Sequence, residues 1–197
     1  MTAIVLASAS ASRAALLRAA GVPFTVVASQ VDEEPVKARM LRDSATPDAI
    51  ARSLAELKAR AVSRRAEGLV IGADQTLDLD GVLYDKPRDL AESRERLVAL
   101  RGRRHSLHAA VAVAREGEVV WTALDTSRLT MRAFSDAFLD AYLARQGEAV
   151  TSSTGAYLLE GEGIQLFEAI EGDYFSILGL PLLGLLAFLR EAEALPA

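Results

Sequence analysis

Several groups of polar residues have the types and spacings that phosphate chemistry needs. Ser8-Ala9-Ser10-Ala11-Ser12-Arg13 follows the apolar run Ile4-Val5-Leu6-Ala7 and leads into an alanine- and leucine-rich stretch. A buried strand feeding a helix start presents unpaired N–H groups and the positive end of the helix dipole, both favourable to an anion. Serine hydroxyls and an arginine fork would complete a phosphate cradle there. The same residues equally suit a plain helix cap with a surface arginine. Asp74 follows the apolar run Leu69-Val70-Ile71-Gly72-Ala73. A carboxylate left at the end of a buried strand suits a general base, although turns also use aspartate. Lys58 and Lys86, taken singly, read as surface lysines. Joined to Ser8, Ser10, Arg13 and the acids Asp32, Glu33, Glu34 and Asp74, they suit a metal-bound polyphosphate. Cations neutralise the phosphate oxygens while carboxylates hold the metal or activate water.

Other chemistries lack their residues. No Gly-x-x-x-x-Gly-Lys loop, Gly-x-Ser-x-Gly elbow or His-Glu-x-x-His helix is present. His105 and His108, three apart on an alternating segment, would point to opposite faces of a strand, so they read as strand and surface histidines. Asp78-Leu79-Asp80-Gly81 lacks the distal glutamate of a calcium loop, Asp89 standing in its place, and reads as a hairpin turn. Asp74-Gln75-Thr76-Leu77 is a weak match to the nucleophile segment of haloacid-dehalogenase phosphatases, since Thr76 replaces the second acid.

Length and composition bound the fold that must position these groups. The 197 residues are read as a single domain over 1–197. A chain of this size buries roughly 70% of its unfolded surface, enough for a core without staples. Hydrophobic residues make up 51% and charged residues 25%, a globular rather than a disordered balance. Acids outnumber bases, 27 to 22, which gives no basic field for nucleic acid. The absence of cysteine removes disulfides and thiolate sites and suits a reducing compartment. Met1 to Ser12 has no positive region of a signal peptide. Tyr174 to Leu189 is broken by Gly179, Pro181 and Gly184 and is shorter than the ~20 residues of a membrane span. It reads as a buried strand end or loop entering a core helix. A cytoplasmic protein without a membrane partner is expected.

The elements follow from local signals. Ile4–Leu6 and Phe24–Val27 read as strands around a helix from Ser12 to Ala20, stopped by Gly21. Asp32 to Asp43 reads as a solvated, mobile loop. Thr46-Pro47 starts a helix whose stripe runs Ile50, Leu54, Leu57, Ala61, with Gly68 at its end. Leu69–Ala73 is a buried strand, and Asp80-Gly81 joins Leu77–Leu79 to Val82–Tyr84 as a type I′ hairpin. Further helices are expected over Leu90–Leu100, from Ser135 to Gln146, and from Leu180-Pro181 to Glu193. His105–Val113 and Val119–Leu124 pair through Glu116-Gly117, and Leu129–Met131 adds a strand. Helices interleaved with hairpins and buried strands predict an α/β fold with a mixed sheet.

Taken in order, these pieces resemble the Maf family of nucleotide pyrophosphatases over nearly the whole chain. The resemblance runs through Leu6-Ala7-Ser8-x-Ser10-x-x-Arg13, Val31-Asp32-Glu33, Ala55-x-x-Lys58-Ala59, Ile71-Gly72-Ala73-Asp74, Lys86-Pro87, Leu100-x-Gly102-x-x-His105, Gly161-x-Gly163-Ile164 and Gly179-Leu180-Pro181-Leu182. Ala11 stands where the family usually has proline, and Ser12 where arginine or tryptophan is common. The resemblance implies an elongated, inosine-triphosphatase-like α/β fold with two lobes around a cleft. It also implies hydrolysis of a nucleoside triphosphate between its α and β phosphates with a divalent cation, whether Mg, Mn or Co. Asp74 matches the proton acceptor; Ser8, Ser10, Arg13, Lys58 and Lys86 match phosphate ligands; Glu33, by register over Glu34, joins Asp74 at the metal. Positions matching Ser12, Gln75 and Glu160 set base choice in the family; its 7-methyl-GTP branch tends to have tryptophan, glutamine and glutamate there, so two of the three positions side with that branch. A nucleotide-binding regulator of cell division with little turnover is the other reading. An apolar face on Tyr174 to Leu189 could support a homodimer.

Overall fold

The computed structural model describes residues 2–196; Met1 and Ala197 lie outside the described residues. Strands β1 (Ile4–Leu6), β2 (Thr25–Val26), β3 (Leu69–Leu79), β4 (Val82–Tyr84), β5 (Arg104–Arg115), β6 (Glu118–Met131) and β7 (Phe167–Glu171) form one mixed sheet. Its path is β2-β1-β3-β5-β6-β7, with β4 hairpinned onto β3. The helices are α1 (Ala11–Ala19), α2 (Glu34–Arg42), α3 (Pro47–Ser63), α4 (Leu90–Leu100), α5 (Asp136–Gln146), α6 (Tyr174–Ile177) and α7 (Leu182–Glu191). The chain divides into two compact units. The first comprises the residues up to Gln75, His108–Thr126 and those from Asp173 onward; the second comprises Thr76–Leu107 and Ser127–Gly172. Among the described residues, no helix is long and apolar enough to cross a membrane.

In the first unit, β1 pairs in parallel with β2 on one side and β3 on the other. The chain leaves β1 for β2, then crosses back to β3, so β1 and β3 flank a reversal of winding direction. Open α/β sheets bind ligands outside the carboxyl ends of strands at such a point. The faces of β3 alternate as a pleat requires. Leu69, Ile71 and Ala73 join Ile4 and Leu6 in a cluster with Ala14 and Leu17 of α1 and Leu182, Leu185 and Leu189 of α7. On α3, Ala51, Ala55 and Ala59 pack with Ala110, Ala112 and Ala114 of β5. Gly72 permits that packing. A Cβ there would stand 2.2 Å from the Ala55 carbonyl oxygen and 2.5 Å from the Ala59 nitrogen, so only glycine lets α3 lie this close to β3.

Local chemistry explains most boundaries. Ser10 caps α1, its hydroxyl accepting from Arg13 N, and Gly21 follows the helix at φ +70°. Pro47 begins α3 with Thr46 at the cap, although the Thr46 side chain makes no cap hydrogen bond. Asp80 and Gly81, and likewise Glu116 and Gly117, have positive φ as two-residue hairpin turns require.

Some expectations are corrected. Asp32 to Asp43 is mostly the helix α2, whose residues are all exposed or half-exposed, so no apolar stripe marked it. Proline near its start and the Lys37–Glu34 pair at 2.7 Å support it locally. Asp74 sits in the interior of an eleven-residue strand rather than at its end. Leu129–Met131 continues β6, and β7 was not anticipated. Tyr174 to Leu189 contains the short helix α6 and then α7, neither strand nor loop at its start.

The second unit is built on α4, α5 and a cluster of rings. Tyr157 and Phe167 meet edge to face at 4.9 Å, and His105 packs on both. His105 is therefore not a surface histidine: it is 2% exposed, and its Nε2 lies 2.9 Å from the Tyr157 hydroxyl. Burial pushes its pKa from 6.5 down to about 4 against a smaller opposing pull from Asp78. The unfolded chain thus takes up a proton near pH 6.5 while the folded chain does not until about pH 4. The stability this contributes is complete above pH 6.5 and is lost as pH falls through that window, roughly 3 kcal/mol in all. In urea titrations at pH 7.5 and 4.5, the wild type is expected to lose roughly 2–3 kcal/mol more than His105→Gln, which cannot titrate. Equal losses would remove His105 from the acid limb.

Candidate active site

β1 stops pairing with β3 at Leu6 and Ile71, and Ala7 N still donates to the Ile71 carbonyl at 2.7 Å. The chain then turns away into α1 while β3 continues, which opens Ser8 and Ser10 at the switch point. Ser8 is buried, and its hydroxyl oxygen accepts from Ser10 N at 3.2 Å and from Arg13 Nη1 at 3.4 Å. Arg13 Nε donates to the Gly179 carbonyl at 2.9 Å. Arg13 is therefore drawn into the cradle rather than left at the surface. Desolvation lowers its pKa, and the charges of Asp74 and Glu33 oppose that shift. Ala11, at the first helical position, forgoes only the preset φ that a proline would bring.

Asp74 shares a face of β3 with Gly72 and so looks toward α3. There Lys58 Nζ lies 2.7 Å from Asp74 Oδ1 and 2.9 Å from Glu33 Oε1. One ammonium thus joins two carboxylates distant in sequence, and both Lys58 and Asp74 are nearly solvent-free. Burial raises the Asp74 pKa, while Lys58 and then Arg13 restrain the rise. Glu33 is placed by its position at the cap of α2. Glu34 instead pairs with Lys37 on the outer side. Two carboxylates converging on one cation are hard oxygen ligands of the kind a magnesium-type ion uses. Among the described residues, no cluster of three or more His, Cys, Asp or Glu stands ready to hold a metal by itself.

The remaining sequence candidates are distributed otherwise. Gln75 points to the opposite face of β3 from Asp74, and its Nε2 donates to the Ser176 and Ile177 carbonyls at 2.9 and 3.0 Å. Ser12 Oγ donates to the Leu178 carbonyl at 2.8 Å. Lys86 and Glu160, both exposed, belong to the second unit. Lys86 follows a segment held by Arg96, a residue that sequence reasoning missed. Arg96 is 6% exposed, donates to the Asp85 carbonyl at 2.7 Å and to the Thr154 carbonyl, and stacks on Tyr84 at 4.4 Å. On its helix it reads as one arginine among several, and only its distant partners single it out. His108 meets Thr126 rather than His105.

The chain is similar to known proteins over nearly its whole length. A family profile described as Maf-like protein matches residues 3–192. A nucleoside triphosphate pyrophosphatase of Caulobacter vibrioides is 54% identical over 99% of this chain and 98% of its own. A 7-methyl-GTP pyrophosphatase of Rhizobium meliloti is 50% identical over 98% of both chains. One from Brucella abortus biovar 1 is 45% identical over 98% of this chain and 97% of its own.

Removing the shared cation should leave two acids facing each other in a largely dry site. Breaking a buried pair typically costs about 3–5 kcal/mol, less here because Glu33 is partly exposed. Lys58→Met is expected to lose about 3 kcal/mol by urea titration at pH 7.5, and Asp74→Asn in that background to recover part of it. A single-variant loss below about 1 kcal/mol, the range of exposed pairs, would show that Lys58 does not hold the carboxylates together.

Proposed function

The chain belongs to the family of Maf-like proteins, and we infer that it is a nucleoside triphosphate pyrophosphatase, a hydrolase that releases pyrophosphate and leaves a nucleoside monophosphate. The observation that carries this reading is the Lys58 ammonium between Asp74 and Glu33, beside the Ser8–Arg13 cradle at the sheet's switch point. It is supported by relatives that bear that activity as their name and align over nearly the full length.

In the proposed reaction, the polyphosphate lies against Ser8, Ser10, Arg13 and Lys58. Oriented donors at a helix start offset the charge that develops on the phosphoryl oxygens. Asp74 accepts a proton from the water that attacks the α-phosphorus, and pyrophosphate departs as one unit. Its base strength follows from its site: burial raises the carboxyl pKa, and the adjacent cations keep the ionised form available. Glu33 and Asp74 would hold a divalent cation, Mg, Mn or Co, with water and substrate phosphates filling its other positions. Bound there, the ion supplies charge neutralisation on the polyphosphate. A cytoplasmic nucleotide house-cleaning role accords with this activity. A regulator of cell division with little turnover would have no use for a buried base held beside a lysine ammonium.

The base preference proposed is 7-methyl-GTP over dTTP and UTP. Relatives named for that substrate support it, as does Glu160, whose carboxylate can accept from a guanine N–H edge and favour a positively charged ring.

Chromatography of a reaction free of inorganic pyrophosphatase is expected to show monophosphate and pyrophosphate as first products. Asp74→Asn should reduce turnover by about 10²–10⁴-fold while nucleotide still binds. Diphosphate with orthophosphate, or a variant retaining half its turnover, would contradict the mechanism.

For base choice, kcat/KM is expected to be higher for 7-methyl-GTP than for dTTP or UTP, and Glu160→Gln to narrow the difference. Faster turnover of dTTP by the wild type would reverse the preference and leave the pyrophosphatase reading intact.

A further inference from the structure

The end of α6 and the turn that follows it have their carbonyls claimed by side chains from the phosphate site. Ser176 and Ile177 accept from Gln75 Nε2, Leu178 from Ser12 Oγ, and Gly179 from Arg13 Nε, all between 2.8 and 3.0 Å. Both partners of the Gln75 amide are acceptors, which fixes its nitrogen on their side. The turn is anchored from behind as well: Ser176 is 1% exposed, and its hydroxyl lies 2.6 Å from Asp125 Oδ2 on β6. Gly179 adopts φ +103°, and a Cβ there would come within 3.5 Å of Arg13 Nε. The positive φ favours glycine there, and the arginine lies against it. Ser12 and Gln75 spend their donors on the backbone of this segment.

We propose that Ser12 and Gln75 are positioning residues: by fixing the Ser176–Gly179 turn they hold the Gly179 carbonyl against Arg13 Nε and aim the rest of the guanidinium at phosphate. This rests on the reading above that Arg13 binds the polyphosphate. Ser12 lies next to Arg13 on α1, and Gln75 next to Asp74 on β3, so both arms of the site lean on one turn. Substitution at either position therefore acts on the phosphate contacts common to all triphosphates, separately from any effect on the base.

Inorganic tripolyphosphate, which has no base, separates positioning from base reading. Its affinity is measured by calorimetry, and KM and kcat are measured for one purine and one pyrimidine triphosphate. Loss of one hydrogen bond is typically worth about 1 kcal/mol, or about three- to tenfold in affinity. Ser12→Ala and Gln75→Leu should each weaken tripolyphosphate binding by about that factor, raise both KM values by the same factor, and change kcat less. Ser12→Thr, which keeps the donor, should restore wild-type values. KM changes that differ between the two bases with tripolyphosphate affinity unchanged would overturn the proposal in favour of direct base reading. So would wild-type affinity in both variants, or a wild type that does not bind tripolyphosphate. If Gln75→Leu fails to fold, Ser12→Ala, a one-atom deletion on an otherwise unchanged helix, decides alone. A wild type that binds tripolyphosphate but releases no pyrophosphate from nucleotides would refute the pyrophosphatase reading separately, and the calorimetric arm would still decide the positioning claim.

Discussion

A buried ammonium must find anionic partners, and Lys58 finds Asp74 and Glu33. Much of the first unit serves that requirement. Gly72 removes the side chain that would hold α3 away from β3, and the facing alanines of α3 and β5 keep the layers close. The short spacing brings Lys58 onto the pleat face that carries Asp74. The start of α2 then supplies Glu33 from outside the sheet. Desolvation alone would favour a protonated Asp74, and the cation beside it makes an ionised carboxylate tolerable in a dry place. Stability and reactivity therefore depend on the same contact.

The pleat of β3 divides the labour. Gly72 and Asp74 face α3, while Ile71 and Ala73 face the α1 and α7 core and Gln75 continues on that side to the turn after α6. Because β1 ends before β3 does, the point where their pairing stops lies between these faces, and α1 starts there with its serine cap. Anion-binding donors come from one layer and the carboxylate–ammonium pair from the other. A single strand thus fixes their register.

How much of this the sequence discloses depends on how local the cause is. Ile4–Leu6, the α4 helix over Leu90–Leu100 and the Asp80-Gly81 turn are set by short apolar runs, a capping aspartate and positive φ, and their bounds agree with the structure. α2 was hidden because it buries no residue, so its charges read as loop. β3 read as too short because Asp74, Gln75 and Asp78 interrupt its apolar run, although each has a hydrogen-bond partner in the folded chain. In the site, Ser8, Ser10, Arg13, Lys58 and Asp74 were legible as residue types suited to phosphate. Their grouping was not, since Lys58 and Asp74 meet only through the Gly72 contact. The roles of Gly179, Arg96 and buried His105 rest wholly on partners far along the chain, which no periodicity encodes.

The central claim is that this arrangement directs water, deprotonated at Asp74, to the α-phosphorus. Hydrolysis in ¹⁸O-labelled water, with the products separated and weighed by mass spectrometry, tests it most directly. The account predicts that the label enters the nucleoside monophosphate and that the pyrophosphate is unlabelled. Label in the pyrophosphate with an unlabelled monophosphate would place the attack on the β-phosphorus and contradict it.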